Sequence, residues 1–141
     1  MYRSPAITLG QQILRMKVEF PDFTYSWSGN LATWQGLLQP SPISPIYRVK
    51  IKYRYNNYYS KSPEVWALSP AILSNAPHRY SDHSLCLYYP KERNWTPYNF
   101  ISETIIPWTS LWLAFYEIWL ETDKWYGPEA KHEKSTPKRK Q

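Results

Sequence analysis

Apolar and polar positions change rhythm several times along the chain, and each rhythm predicts an element. From about Ala6 to Phe20 the residues Ile7, Ile13, Leu14, Met16 and Val18 give a helix an apolar side. Pro21 ends it, and Gly10 is its weakest position. Three strand-like runs come next, Leu31 to Leu38, Ile46 to Tyr55 and Glu64 to Leu68, the last entered through Pro63. Links rich in Pro, Ser, Gly and Asn separate them, as in an antiparallel meander. From Ser69 to Pro97 periodicity fades and turn formers dominate, which predicts an extended loop of a length that is usually functional.

Beyond Pro97 the rhythm is helical. Asn99 or Ser102 is placed to cap a short helix through Ile106, which Pro107 breaks or restarts. Trp108, Leu111, Trp112, Phe115 and Trp119 recur three and four apart and define one apolar face. Leu113, Tyr116, Ile118 and Leu120 carry apolar surface further round, so this helix is buried or contacts another protein. Gly127 and Pro128 close the ordered pattern. The class is α+β: an N-terminal helix, an antiparallel meander of three to four strands, a long loop and C-terminal helices. No internal repeat and no nucleotide-binding glycine pattern is present.

Composition refines this picture. At 141 residues the chain suits one domain, with a core rich in rings from 8 Trp and 13 Tyr. A mean hydropathy of −0.62 favours a soluble protein. Met1 to Gly10 lacks the layout of a secretory signal. The most apolar stretch, Ile105 to Leu120, is interrupted by Pro107 and Glu117 and falls short of the roughly 20 residues that span a bilayer, so no membrane role is expected. One cysteine excludes an internal disulfide and points to the cytosol.

The net charge of +6 invites a nucleic-acid reading, which its distribution weakens. Lys131, Lys134, Lys138, Arg139 and Lys140 lie in a polar stretch that reads as a solvated tail, so the domain is expected over 1–128 with a basic disordered tail over 129–141. Arg48, Lys50, Lys52 and Arg54 alternate with Tyr47, Val49, Ile51 and Tyr53, as on a strand with one solvated face.

Cys86 lies between Leu85 and Leu87, and a lone cysteine in an apolar run is by default a small core residue. Its surroundings change that default. Pro77-His78-Arg79-Tyr80-Ser81-Asp82-His83-Ser84-Leu85-Cys86-Leu87 resembles the active-site segment of ubiquitin-conjugating (E2) enzymes, which place His-Pro-Asn upstream of a hydrophobic-Cys-Leu motif. Pro77 stands at the family's proline, His78 at its asparagine and Ala76 at its histidine. Trp95-Thr96-Pro97 resembles the family's Trp-Ser/Thr-Pro element. Trp34-Gln35-Gly36-Leu37-Leu38-Gln39-Pro40, Ser44-Pro45 with Tyr47 to Ile51, and Pro63-Glu64-Val65-Trp66 are similar to its three strand signatures. The likeness covers roughly residues 6 to 122. Pro-His-x-Tyr-x-Asp, Leu-Cys-Leu-Tyr-Tyr-Pro and a Trp-rich helix resemble most closely the bacterial E2-like proteins of anti-phage operons, notably the cyclic-oligonucleotide (CBASS) systems.

The resemblance implies a UBC-like fold and a conjugating enzyme that carries an acyl group as a thioester on Cys86 and transfers it to an amine. It implies no cofactor. Partners would be an E1-like adenylating enzyme, since no ATP-binding feature is present, or the enzyme being modified, such as a cyclic-oligonucleotide synthase. The acyl group would come from the C-terminus of a ubiquitin-like or target protein. His78 would then donate to the oxyanion or brace the loop. Pro77, Asp82, Tyr88 and Trp95 would support the active-site loop, Asp82 by bracing the turn before Cys86.

Departures from the family pattern leave alternatives. Tyr88 stands where many members keep an acid, and His83 where many have glycine. Glu103, Glu117 and Asp123 are acid–base candidates by position only, and solvated charges by default. A zinc site from His78, His83, Cys86 and His132 fits no standard spacing. Loss of the family His and Asn identities leaves open a non-catalytic, E2-derived binding module. Tyr53, Tyr55, Tyr58 and Tyr59 beside Lys50, Lys52 and Arg54 leave a weaker reading, a nucleic-acid binder. The tryptophans after Pro107 are compatible with a homo-oligomeric interface.

Overall fold

The computed structural model describes residues 6–56, 61–87 and 95–127. Helix α1 runs Leu9–Glu19 and starts where a capping box fixes it. The Gln11 amide donates to Thr8 Oγ1 at 3.1 Å, and the Thr8 amide donates back to Gln11 Oε1 at 2.9 Å. The start therefore falls at Leu9 and not at Ala6. Leu9, Gln12, Ile13 and Met16 form the buried face. Leu14 and Val18, expected on it, stand 62% and 68% exposed, because the Gln12 amide takes the inner position. Gln12 Nε2 donates to the Asn99 carbonyl and its Oε1 accepts from the Ile101 amide, both at 2.9 Å. With both ends bonded, this buried amide clamps distant segments together.

Four strands make one antiparallel sheet in the order β1 (Thr24–Ser28), β2 (Leu31–Leu38), β3 (Tyr47–Arg54) and β4 (Glu64–Ser69). Strands β2 to β4 lie where alternation predicts them, to within a residue at each end. Strand β1 escapes the sequence reading because all five of its residues are exposed, which leaves no burial alternation to detect. Its signal is the Gly29-Asn30 pair, a two-residue hairpin link in which Gly29 takes a φ of 62°. The register stacks Ala32 on Tyr53, Trp34 on Ile51 and Leu38 on Tyr47, and then Ile51 on Val65. These residues form the core face. Gly36 belongs to the same row, where any Cβ would collide with the ring of Phe23.

The opposite face carries the alternating cations. The Lys50 and Lys52 ammonium groups lie 5.2 and 5.9 Å over the Trp66 ring. Tyr53 points into the core and is fully buried, so it cannot join an exposed stacking platform beside those lysines. Tyr58 and Tyr59 lie outside the described residues.

After a 3-10 turn at Ile101–Glu103, helix α2 runs unbroken from Ile105 to Thr122. Pro107 neither breaks nor restarts it: at the third helical position its missing N–H would have no intrahelical acceptor anyway. The buried residues are Ile105, Ile106, Thr109, Trp112, Leu113 and Tyr116. The inner face is thus rotated from the one drawn through Trp108, Leu111 and Phe115, and Leu111 and Ile118 remain about two-fifths exposed. A sequence apolar around the whole cylinder does not fix which side faces in. Glu117 is no solvated charge: it accepts from Ser44 Oγ and Tyr47 Oη, each at 2.8 Å, and ties α2 to the β2–β3 connection. Burial, and then this carboxylate, push the Tyr47 hydroxyl well above the usual tyrosine range. Glu103 pairs with Arg15 at 2.7 Å. Asp123 closes α2 in the left-handed region. No helix among the described residues is long and apolar enough to cross a membrane.

Candidate active site

Strand β4 delivers the chain to a segment held by single contacts. The Leu73 amide donates to the Tyr116 hydroxyl of α2 at 3.0 Å. The Leu73 carbonyl accepts from the Ala76 amide and from Arg79 Nη2, each at 3.0 Å. Half-buried Pro77 then leads into His78, which turns the chain through a φ of 58°.

Residues 79–85 form a miniature hairpin rather than an open loop. Arg79 and Leu85 bridge antiparallel, and the Tyr80 amide donates to the Ser84 carbonyl at 2.9 Å. The turn needs a left-handed residue, supplied by His83 at a φ of 74°. Asp82 Oδ1 accepts from the Ser84 hydroxyl at 2.6 Å and from its amide at 2.9 Å. The Ser84 hydroxyl, and then its amide, holds the Asp82 carboxyl below its ordinary range. The hairpin is docked on the sheet through Leu85, whose amide donates to the Val65 carbonyl at 2.8 Å. Trp66 Nε1 adds a bond to the Asp82 carbonyl at 3.0 Å.

Cys86 comes directly after the bridge and is only 4% exposed. Its amide donates to the His78 carbonyl at 3.0 Å, and the same oxygen accepts from Trp112 Nε1 at 3.1 Å. One carbonyl thereby joins the cysteine to α2. The Cys86 thiol donates to the Tyr80 hydroxyl at 3.3 Å. The His78 ring rests against Trp125, centroids 4.9 Å apart. The bond from Cys86 to His78 is thus one between main-chain atoms.

The other expected site residues separate. Trp95 is buried in the core, edge-on to Tyr53 at 5.3 Å, with Nε1 donating to Thr104 Oγ1 at 3.0 Å where α2 begins. Asp82 lies at the tip of the hairpin. Tyr88 falls outside the described residues. Among those residues no three His, Cys, Asp or Glu side chains gather as a metal site, and His132 lies beyond them. A cleft of about 290 Å³ lies beside the hairpin, with Pro63, Glu64, Tyr80, Leu85 and Leu87 in its walls.

Sequence reasoning misses Tyr80 and Trp112 as site residues. The signal for Tyr80 is the Ser81-Asp82-His83-Ser84 turn, which folds Tyr80 back toward the residues after it. Trp112 carries no such signal, since its indole N–H finds the loop only in three dimensions.

Among known families, the one described as Type II CBASS E2 protein matches this chain over residues 12–133, which takes in the sheet, the Cys86 hairpin and α2. The chain belongs to the type II CBASS E2 family. Membership assigns it to CBASS anti-phage systems and gives it an E2-like role in conjugation. As a CBASS E2 protein it departs from the general E2 pattern at Ala76 and His78, and the hairpin explains what position 78 must do locally: turn the backbone and offer its carbonyl to two donors. No curated protein matches the chain.

Proposed function

We propose that this CBASS E2 protein has a UBC-like fold and is a cysteine acyltransferase, carrying a protein C-terminus as a thioester on Cys86 and passing it to an amine. The observation that carries this reading is Cys86 itself: the chain's only cysteine, its amide on the His78 carbonyl that Trp112 of α2 also holds, its neighbour Leu85 bonded to β4, and its sulfur on a hydroxyl. Cysteine suits both halves of such a transfer, since the thiolate is a strong nucleophile and its thioester reacts with amines.

In loading, Cys86 Sγ attacks the carbonyl carbon of an incoming acyl thioester. The C–Sγ bond forms as the donor's C–S bond breaks, and the donor thiolate takes up the proton that the Cys86 thiol released. In discharge, an amine attacks the same carbon, the C–Sγ bond breaks, and the proton lost by nitrogen returns to sulfur. His78 is placed eight residues before the nucleophile and has a ring N–H able to donate to the oxyanion of either step. The acyl donor would be an E1-like enzyme bearing a ubiquitin-like or target-protein C-terminus, and the acceptor a partner such as the cyclic-oligonucleotide synthase.

A second reading, a binding module without catalysis, is favoured by one observation, the near-complete burial of Cys86. Trapping separates the two. Incubated with an E1-like enzyme and a cyclic-oligonucleotide synthase from a type II CBASS system, the wild-type chain is expected to give an adduct that thiols cleave. Cys86→Ser is expected to lose both this adduct and phage protection; full protection by Cys86→Ser establishes the binding module instead.

A further inference from the structure

Among the described residues, Tyr80 has a side chain that meets the Cys86 sulfur and that loading and discharge through Cys86 and His78 leave unused. Tyr80 Oη lies 3.3 Å from Sγ. The backbone brings the two residues together, because they lie on facing arms of the Arg79–Leu85 bridge. The Tyr80 amide is bonded to the Ser84 carbonyl, and the Cys86 amide to the His78 carbonyl. Tyr80 is 42% exposed and borders the cleft, whereas Cys86 is buried.

We propose that Tyr80 is a catalytic residue for the Cys86 thioester, donating its hydroxyl hydrogen to the sulfur whenever the sulfur is a thiolate. This rests on the reading of Cys86 as the acyl carrier. In the neutral pair the S–H donates to the tyrosine oxygen. Once the thiol proton is lost, the hydroxyl rotates and the direction reverses, so the bond favours the charged form. The thiolate occurs twice in the cycle, as the attacking group in loading and as the leaving group in discharge. A hydrogen bond that stabilises it lowers its nucleophilicity somewhat but raises the fraction ionised and speeds its departure. Tyr80 keeps its own proton throughout; no bond to it forms or breaks.

Among the described residues, the other ionisable groups near the pair make the following contacts. Asp82 is held by Ser84, Arg79 donates to the Leu73 carbonyl, and the His78 ring lies on Trp125. His83 is at the exposed turn. From α2 comes the Tyr116 hydroxyl, bonded to the Leu73 amide. Lys61 and Glu64 face the cleft from the β4 side.

The test is Tyr80→Phe, which removes one oxygen from a partly exposed side chain and leaves the fold intact by circular dichroism. The rate of Cys86 alkylation by iodoacetamide is followed across the neutral and alkaline range. The profile is expected to move to higher pH, with alkylation at neutral pH slowed roughly three- to tenfold, the worth of one hydrogen bond. The same variant, charged with a small acyl thioester and discharged with free lysine, is expected to release its acyl group more slowly than wild type. A superimposable alkylation profile, a shift to lower pH, or an unchanged discharge rate overturns the proposal. Iodoacetamide needs no protein partner. The profile therefore judges Tyr80 independently of the Cys86→Ser trapping that judges the acyl-carrier reading.

Discussion

The sheet with its covering helix and the hairpin around Cys86 are built on different principles. In the sheet, position is over-determined: the row through Trp34, Ile51 and Val65 is fixed by ladder bonds and by burial together, and a one-residue slip would expose the whole row. In the hairpin, position rests on separate polar contacts, among them His78 O with its two donors and Asp82 with Ser84. The first arrangement resists change until it fails cooperatively. The second can be altered one bond at a time while the domain stays folded, which suits the proposed acyl transfer, where the site would have to admit a reacting group.

Substitutions in each region break or sharpen that contrast. Ile51→Ala, at the centre of the core face, is expected to cost about 2–5 kcal/mol in chemical denaturation. It should lower all structural probes together. A loss confined to the loop would put the core and hairpin in one class. Trp112→Phe keeps a six-membered ring and loses the pyrrole ring that donates to the His78 carbonyl, at an expected cost of about 1–3 kcal/mol for the lost bond, added to that of the small cavity left behind. Its signature is a change in Cys86 alkylation larger than its modest fall in melting temperature implies. Equal effects on both would mean that the carbonyl bridge does not govern the thiol.

Asp82→Asn should have the smallest effect, visible only through pH. The folded Asp82 carboxyl lies below its unfolded value of about 3.9, so its contribution is fully present above that value. It disappears as pH falls through the folded value. The difference in hydrogen exchange at the Ser84 amide between wild type and Asp82→Asn is therefore expected at neutral pH and should vanish in strong acid. A difference that grows on acidification has the wrong sign for this contact.

The same contrast governs what the sequence reveals. Strands β2 to β4 are legible because burial on one face writes an alternation into the chain. Strand β1, exposed throughout, writes none. Helix α2 is legible as a helix, but its inner face is not, because Leu111, Phe115 and Trp119 are as apolar as the residues that are buried. In the candidate site, Cys86 by its local pattern reads as a small core residue, and only the resemblance of its flanking segment to E2 enzymes singles it out. The contacts to Trp112, Tyr116 and Val65 cannot be read from local spacing, since each joins residues far apart in the chain. Glu117 reads wrongly as a solvated charge for the same reason: its hydroxyl partners, Ser44 and Tyr47, sit on another element.

The His78 carbonyl oxygen has a further consequence for anyone rebuilding this site. A carbonyl has two lone pairs, and here the Cys86 amide and the Trp112 indole occupy them. Residues 77–87 are therefore not a self-contained cassette. Transplanted onto another scaffold without an indole at the matching helical position, the segment would arrive one donor short, at the atom that sets where the cysteine sits. The smallest portable unit is the hairpin together with one turn of α2.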